Sequence, residues 1–258
     1  MRRVWLIGRS VLLEALRRRE IYVLVMVASL MIGLVFTLDF FHLEGLTKFH
    51  REISLKIMST SVALMVIVLA SRQLPREFAA RTIYPLLARP VSRLEFLLGK
   101  LLGVMLSAAF GYLLFMAVYI AGRLYMGGDL PWAILAQYIY LQLLQMLVLA
   151  CLGFVLSMLL NLDAAISIGF LLFFFASTLS TSITYLYAYA TETTRMVLTA
   201  LVYVVPQLNL FDLSEKAIHV EIWDPLSFAT MLALTLYGLV FATLYFAGAA
   251  WLFRGKAL

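Results

Sequence analysis

Apolar residues along this chain form long runs that are separated by short polar stretches. A helix needs about 20 apolar residues to cross the hydrocarbon core of a bilayer, and six runs reach or approach that length. They are residues 21–38, 57–71, 101–122, 130–162, 164–187 and 228–253. The second run is short, so we expect its helix to begin nearer Ile53, with Lys56 extending to the interface. The pattern predicts an all-α polytopic membrane protein, with six transmembrane helices in a single domain that covers residues 1–258.

The first twenty residues have a different pattern, in which apolar and charged residues occupy opposite arcs of a helical wheel. The apolar arc contains Val4, Trp5, Gly8, Val11, Leu12, Ala15 and Leu16, and the charged arc contains Arg2, Arg3, Arg9, Glu14, Arg17 and Arg18. This pattern is typical of a helix that lies in the headgroup plane of a membrane. It does not fit a secretory signal, because Glu14 and a cluster of three arginines precede the first apolar run.

The stretch from 188 to 228 fits neither pattern. Residues 196–211 are mostly apolar but include Pro206, Gln207 and Asn209, and they are few for a full crossing. A crossing there would also place the two termini on opposite sides of the membrane. We therefore predict an outer loop that contains a helix dipping into the interface or re-entering the membrane.

Composition supports the membrane class, and charge sets the orientation. Hydrophobic residues make up 64% of the chain and charged residues 13%, against about half and a quarter in soluble proteins. With six spans, both termini and residues 72–100 lie on the same side of the membrane. The segments on that side contain 14 of the 20 Lys and Arg residues. The positive-inside rule makes that side cytoplasmic, which predicts a multi-pass protein of the cytoplasmic (inner) membrane. The net charge of +6 follows from this asymmetry and does not indicate nucleic-acid binding.

Motifs for catalysis or cofactor binding are missing from the sequence. It contains no phosphate-binding loop with its lysine, no Gly-x-Gly-x-x-Gly at the start of a helix, and neither HExxH nor GxSxG. Cys151 lies within an apolar run, and His42, His50 and His219 are isolated in predicted outer loops, where histidines are usually solvated. We predict no catalytic residue, no metal site and no cofactor on this chain. Predicted spans also lack deeply placed ionisable residues, which argues against coupling to protons or ions.

Polar residues within the predicted spans are the remaining candidates for a binding surface. They are Gln137, Gln142 and Gln145 in the fourth run, and Ser177, Ser180, Thr181 and Thr184 in the fifth. Hydrogen bonding between helices is the interpretation we favour, and lining of a substrate pathway is the alternative. Gly99 and Gly103 have the spacing of a small-residue packing pair rather than of a ligand site.

Residues 72–100 are the longest polar interruption on the predicted cytoplasmic side. Pro75 suits the first position of a helix, and Pro85 cannot continue that helix. Ser92 and Glu95 have the spacing of a capping box at the start of a second helix. The stretch therefore predicts two short helices joined by a proline-bracketed turn, a fixed shape that suits docking into a protein cleft.

The same stretch resembles a cytoplasmic loop in permease subunits of type-2, exporter-class ATP-binding-cassette (ABC) transporters. The matching pieces are Glu77, Arg81-Thr82-Ile83, Leu86-Leu87, Arg89-Pro90-Val91-Ser92-Arg93 and Gly99-Lys100. The family usually has a Gly-Thr pair where this chain has Arg81-Thr82. In that family the loop is a coupling element, so the resemblance implies an ATPase-docking role for one set of residues. They are Arg76, Glu77, Phe78, Arg81, Thr82, Tyr84, Arg89 and Arg93.

The resemblance also implies partners. Residues 1–20 would be an elbow helix beside the ATPase, with a simple membrane anchor as the alternative that the sequence supports equally. The chain would pair with itself or with a sister permease in the lipid membrane. ATP and Mg²⁺ would bind to the partner ATPase subunits, so this chain itself would not be an enzyme. The implied function is export, or extraction from the membrane, of an amphipathic substrate. A membrane scaffold or assembly subunit without transport activity is the alternative.

Overall fold

The computed structural model describes residues 2–17, 23, 26–28, 30–31, 46–79, 92–125, 130–187, 189–214, 216 and 224–255. This part of the chain is almost entirely helical. Its elements, in chain order, are α1 (Arg2–Leu16), α2 (Leu46–Ala79), α3 (Arg93–Tyr125), α4 (Trp132–Leu159), α5 (Leu162–Tyr187), α6 (Glu192–Val204), a 3-10 turn (Leu208–Phe211) and α7 (Phe228–Gly255). The predicted all-helical class is therefore confirmed.

Four helices in the described ranges are long and apolar enough to cross a membrane. They are Ser54–Phe78 within α2, and α3, α4 and α7 over their full lengths. A shorter apolar stretch, Leu162–Phe175, opens α5, where we predicted the fifth span. Most of the predicted first span, residues 21–38, lies outside the described residues, and its described positions are helical. The total of six spans therefore stays a prediction.

Helix α4 occupies the centre of the bundle, where it packs against α2, α3, α5 and α7. It contains no charged residue, and a helix that is apolar on all sides must be surrounded by protein or lipid. Its buried residues cover every side of the helix. In contrast, α7 buries one side against α4 and exposes Leu232, Leu236, Leu244 and Trp251. These exposed side chains suit contact with lipid.

The amphipathic helix α1 packs along the start of α3. Gly8, Val11 and Ala15 are buried in this contact, and a β-carbon added to Gly103 would lie 2.4 Å from Cβ of Val11. The predicted packing role of the glycine pair on α3 is thereby confirmed. The middle of the apolar arc of α1 thus faces protein, while Trp5 on the same arc remains 53% exposed. Placement of α1 in the headgroup plane stays a prediction.

Helix α2 departs from the sequence prediction at both ends. It begins at Leu46, before the start near Ile53 that we expected, and it continues through Pro75 to Ala79. The prediction that Pro75 opens a new helix is therefore wrong. Proline in a helix interior removes a backbone hydrogen bond, but Leu74 is fully buried and Phe78 contacts the aromatic ring of Phe253. Burial of these flanking side chains favours continuation of the helix.

The 3-10 turn after α6 packs against α4 and α5, with Leu208 and Phe211 buried and Asn209 and Leu210 exposed, and it also bonds to α7. Its Leu208 carbonyl accepts a hydrogen bond from Nε2 of Gln145 at 3.3 Å, and the Gln207 N–H donates to the Tyr237 hydroxyl at 2.9 Å. Gln145 lies thirteen residues after Trp132 in α4, or about 20 Å along the helix at 1.5 Å per residue. The turn therefore reaches roughly the middle of α4. Its side of the membrane stays a prediction.

Candidate functional site

The end of the bundle where α2 ends and α3 begins is called here the Lys100 end, and the opposite end the Asp212 end. Two reciprocal hydrogen bonds start α3 at the Lys100 end. The Glu95 N–H donates to Oγ of Ser92 at 3.1 Å, and the Ser92 N–H donates to Oε2 of Glu95 at 2.9 Å. This arrangement is the predicted capping box, which is confirmed. It fixes the direction in which the chain enters α3.

A partly buried ion pair joins α2 to α3 at this end. Nζ of Lys100 lies 2.5 Å from Oε1 of Glu77, with side-chain exposures of 6% and 22%. The ammonium also lies 5.5 Å from the centre of the Phe96 ring, within the range of a cation–π contact. Charges this deep are stable only when they are paired. The pair therefore holds the end of α2 against the first turns of α3.

Sequence reasoning missed this ion pair. It considered Glu77 and Lys100 only as separate matching pieces of the loop that resembles the family. The sequence did contain a signal for a partner of Lys100. This lysine directly precedes an apolar run, and a charge at the start of a buried helix needs a partner. The sequence did not identify this partner as Glu77, because 23 residues separate Glu77 from Lys100.

Three phenylalanines and one arginine connect the last helix to the same end. The Phe253 ring of α7 lies 5.9 Å from the Phe78 ring and 6.0 Å from the Phe96 ring, between ring centres. Nη1 of Arg93 donates to the carbonyl oxygens of Phe253, at 3.1 Å, and Arg254, at 2.9 Å. The last carbonyls of a helix lack intrahelical donors and attract positive charge. Arg93 therefore caps the end of α7.

The predicted docking residues divide into two groups. Arg76 is about two-fifths exposed and lies 3.7 Å from Glu14 of α1, whereas Glu77, Phe78 and Arg93 all make contacts within the bundle. The remaining members of the set, Arg81, Thr82, Tyr84 and Arg89, lie outside the described residues. The described members thus flank residues 80–91 and anchor both sides of that segment. Docking itself stays a prediction for the whole set.

The glutamines of α4 connect the centre of the bundle. Oε1 of Gln142 accepts hydrogen bonds from the hydroxyls of Ser59 in α2 and Tyr112 in α3, each at 3.0 Å. One turn earlier, the Tyr138 hydroxyl donates to the Leu55 carbonyl at 2.9 Å. These are the interhelical hydrogen bonds that we favoured from the sequence. A role of Gln142 in a substrate pathway stays a prediction.

Gln137 and Gln145 bind backbone groups on the Asp212 side of the bundle. Gln137 forms two hydrogen bonds with Leu226, through Nε2 to the carbonyl at 3.0 Å and through Oε1 from the N–H at 2.9 Å. Gln145 donates to Leu208, but its Oε1 has no hydrogen-bond partner among the described residues. Four further candidates have side chains outside the described part of the structure, so their pathway role stays a prediction. These are Ser177, Ser180, Thr181 and Thr184.

A comparison with protein-family models agrees with the sequence resemblance. The model for ABC-2 family transporter proteins matches residues 14–191 of this chain. The chain belongs to the ABC-2 transporter family. The matched region of this ABC-2 protein contains α2, α3, α4 and α5, and no curated protein matches the chain.

Family membership gives the broad function. This ABC-2 protein is a multi-pass membrane component of an ABC transporter, a permease that works with ATP-binding subunits. The family is a transport component rather than a catalytic one. The Lys100 end and the polar residues of α4 are consequently the two parts of the structure from which a more detailed function can be argued.

Proposed function

We propose that this ABC-2 permease forms one half of a translocation pathway, paired with a second copy or with a sister permease. Two cytoplasmic ATPase subunits dock on residues 72–100 and supply the energy. The chain lies in the cytoplasmic membrane with both termini inside. Its cargo is an amphipathic substrate that is exported or extracted from the membrane.

The anchoring of residues 80–91 supports this proposal most strongly. On one side, α2 ends with Glu77 paired to Lys100, and on the other, α3 begins with Arg93 bonded to the end of α7. A force applied to the segment would therefore act on three helices together. A mere topological signal needs only positive charge, whereas an element that transmits motion needs attachments of this kind.

The docking proposal is tested by reversing charge within the loop. We expect Arg81→Glu with Arg89→Glu to weaken capture of the ATPase that co-purifies with the wild-type permease, and to reduce ATP turnover in proteoliposomes. Opposite charges across an interface set the association rate and the choice of partner. The matched control is Arg195→Glu with Lys216→Glu, which makes the same change in charge at sites we predict to face the other side of the membrane.

Each result decides between docking and the scaffold alternative. Loss of ATPase capture by the loop variant alone supports docking at residues 72–100. Equal capture by both variants and the wild type contradicts it, and so does equal loss in both. If no ATPase co-purifies with the wild type, the scaffold alternative gains. The isolated permease should hydrolyse no ATP, because its sequence lacks a phosphate-binding loop.

A further inference from the structure

A cavity lined by both polar and apolar residues opens between α2, α4, α5 and the 3-10 turn, on the Asp212 side of the bundle. Its volume is about 180 Å³, and its walls include Lys56, Gln145, Phe174, Asn209 and Asp212. Lys56 lies near the start of the apolar part of α2, which begins at Ser54, so the cavity opens close to the boundary of the hydrocarbon layer. Nothing in the coupling proposal requires a cavity here.

Opposite charges face each other across the mouth of the cavity. Nζ of Lys56 lies 3.6 Å from Oδ2 of Asp212, and both side chains are accessible to solvent. The second oxygen of Asp212 accepts the Ser214 N–H at 2.9 Å, which fixes the orientation of the carboxylate. An exposed ion pair contributes little to stability. A ligand that offers its own anion to Lys56 and its own cation to Asp212 can therefore replace the pair at small cost.

Gln145 in the wall of the cavity has a hydrogen-bond acceptor that lacks a donor among the described residues. Gln145 is only 4% exposed, and its Oε1 is buried without a partner in the part of the chain that the structure describes. Its Nε2 is used by Leu208, so the amide is held in place. A buried acceptor without a donor is unfavourable. The ligand that suits this site must bring an N–H or O–H group.

Aromatic side chains form the apolar wall. Phe173 and Phe174 of α5 meet edge to face, with ring centres 5.1 Å apart, and both line the cavity. Phe174 is half exposed on the outside of the bundle, where lipid chains would contact it. The cavity is thus adjacent to an apolar surface, as a ligand with a charged head and a hydrocarbon tail requires.

We propose that this cavity binds the headgroup of a zwitterionic phospholipid that carries a primary amine. The phosphate would interact with Lys56, and the ammonium would donate to Asp212 and to Oε1 of Gln145. The acyl chains would lie against Phe174. A trimethylated headgroup has the same charges but no N–H donor, so it cannot satisfy Gln145. The site therefore discriminates by the number of N–H groups.

The test uses the full-length permease, delipidated in detergent and titrated with defined lipids in native mass spectrometry. The probes are phosphatidylethanolamine, its N-methyl and N,N-dimethyl derivatives, and phosphatidylcholine, all with the same acyl chains. We expect binding to weaken at least tenfold over the series, with the largest step at the final methylation. Equal binding of phosphatidylethanolamine and phosphatidylcholine by the wild type would overturn the proposal.

Variants assign the preference to the cavity. Gln145→Leu should abolish the difference between the first and last lipids, and Asp212→Asn and Lys56→Met should each reduce it. Asp163→Asn, which removes an exposed carboxylate away from the cavity, is the control and should behave as the wild type. An unchanged preference in all three cavity variants contradicts the assignment. Competition by soluble phosphoethanolamine at equal concentration would indicate a water-soluble ligand and contradict the lipid.

Discussion

Breaking the ion pair between Glu77 and Lys100 should affect stability unequally, depending on which partner is removed. In Glu77→Gln the ammonium of Lys100 stays almost fully buried without its counter-ion. In Lys100→Met the carboxylate of Glu77 remains, but it is 22% exposed and retains some water. Methionine also replaces the apolar stem of the lysine. We therefore expect the loss of the glutamate to be the more damaging change.

The magnitudes follow from the burial of each charge. Removing one partner of a fully buried pair costs about 3–5 kcal/mol, whereas replacing both partners is often nearly neutral. We expect about 3 kcal/mol for Glu77→Gln, about 1–2 kcal/mol for Lys100→Met, and about 1 kcal/mol or less for the double variant. At about 2–4 °C per kcal/mol in a protein of this size, Glu77→Gln should lower the unfolding midpoint by roughly 6–12 °C.

Thermal unfolding in detergent, monitored by loss of the monodisperse peak in size-exclusion chromatography, measures these shifts. Because such unfolding is commonly irreversible, all variants are compared at one heating rate. Glu14→Gln is the control, since it removes a partner from the exposed contact with Arg76 and should change the midpoint little. The reasoning is refuted if Lys100→Met is the more damaging single change, or if the double variant is as unstable as Glu77→Gln.

Three further predictions test packing, the central hydrogen bonds and orientation. Gly103→Ala should destabilise by about 1–3 kcal/mol, because its methyl group would overlap Val11. In Gly248→Ala the nearest described atom, Cγ2 of Val155, lies at 3.8 Å, so this control should be tolerated; thermal melts compare the two. Tyr112→Phe should lower the melting temperature more than Tyr140→Phe, since only the first hydroxyl donates to a buried partner. In a Cys151→Ser background, cysteines at positions 48 and 216 should react with an impermeant maleimide in intact cells. Labelling of position 216 only after permeabilisation would contradict the six-span topology.

Local signals in the sequence were sufficient where neighbouring residues determine the structure. The capping box at Ser92 needs only a spacing of three residues, and the packing of Gly99 and Gly103 needs only small side chains one turn apart. The same local logic failed at Pro75. Its preference for the first position of a helix was outweighed by burial of Leu74 and by the contact of Phe78 with α7, neither of which local spacing contains.

Contacts between distant residues could not be predicted in the same way. The sequence showed that Gln142 and Gln145 lie one turn apart in an apolar helix, which predicts interhelical hydrogen bonds for both. It did not show that Ser59 and Tyr112 donate to Gln142 while Oε1 of Gln145 has no donor among the described residues. The difference between the partners of the two glutamines depends on where the turn after α6 packs against α4. The hydrophobic periodicity of the sequence does not predict that position.

The bonds from Arg93 to the end of α7 have a consequence for biosynthesis. Arg93 and its acceptors are separated by 160 and 161 residues, so the segment between α2 and α3 is synthesised long before α7, whose end binds Arg93. Until Phe253 and Arg254 have left the ribosome, the end of α2 and the start of α3 lack their contacts with α7. A premature stop codon within α7 would thus yield a protein that retains most of its helices. It would lack the contacts of the end of α7 with Phe78 and Arg93. The attachment of α3 to α7 is in this way tied to synthesis of α7.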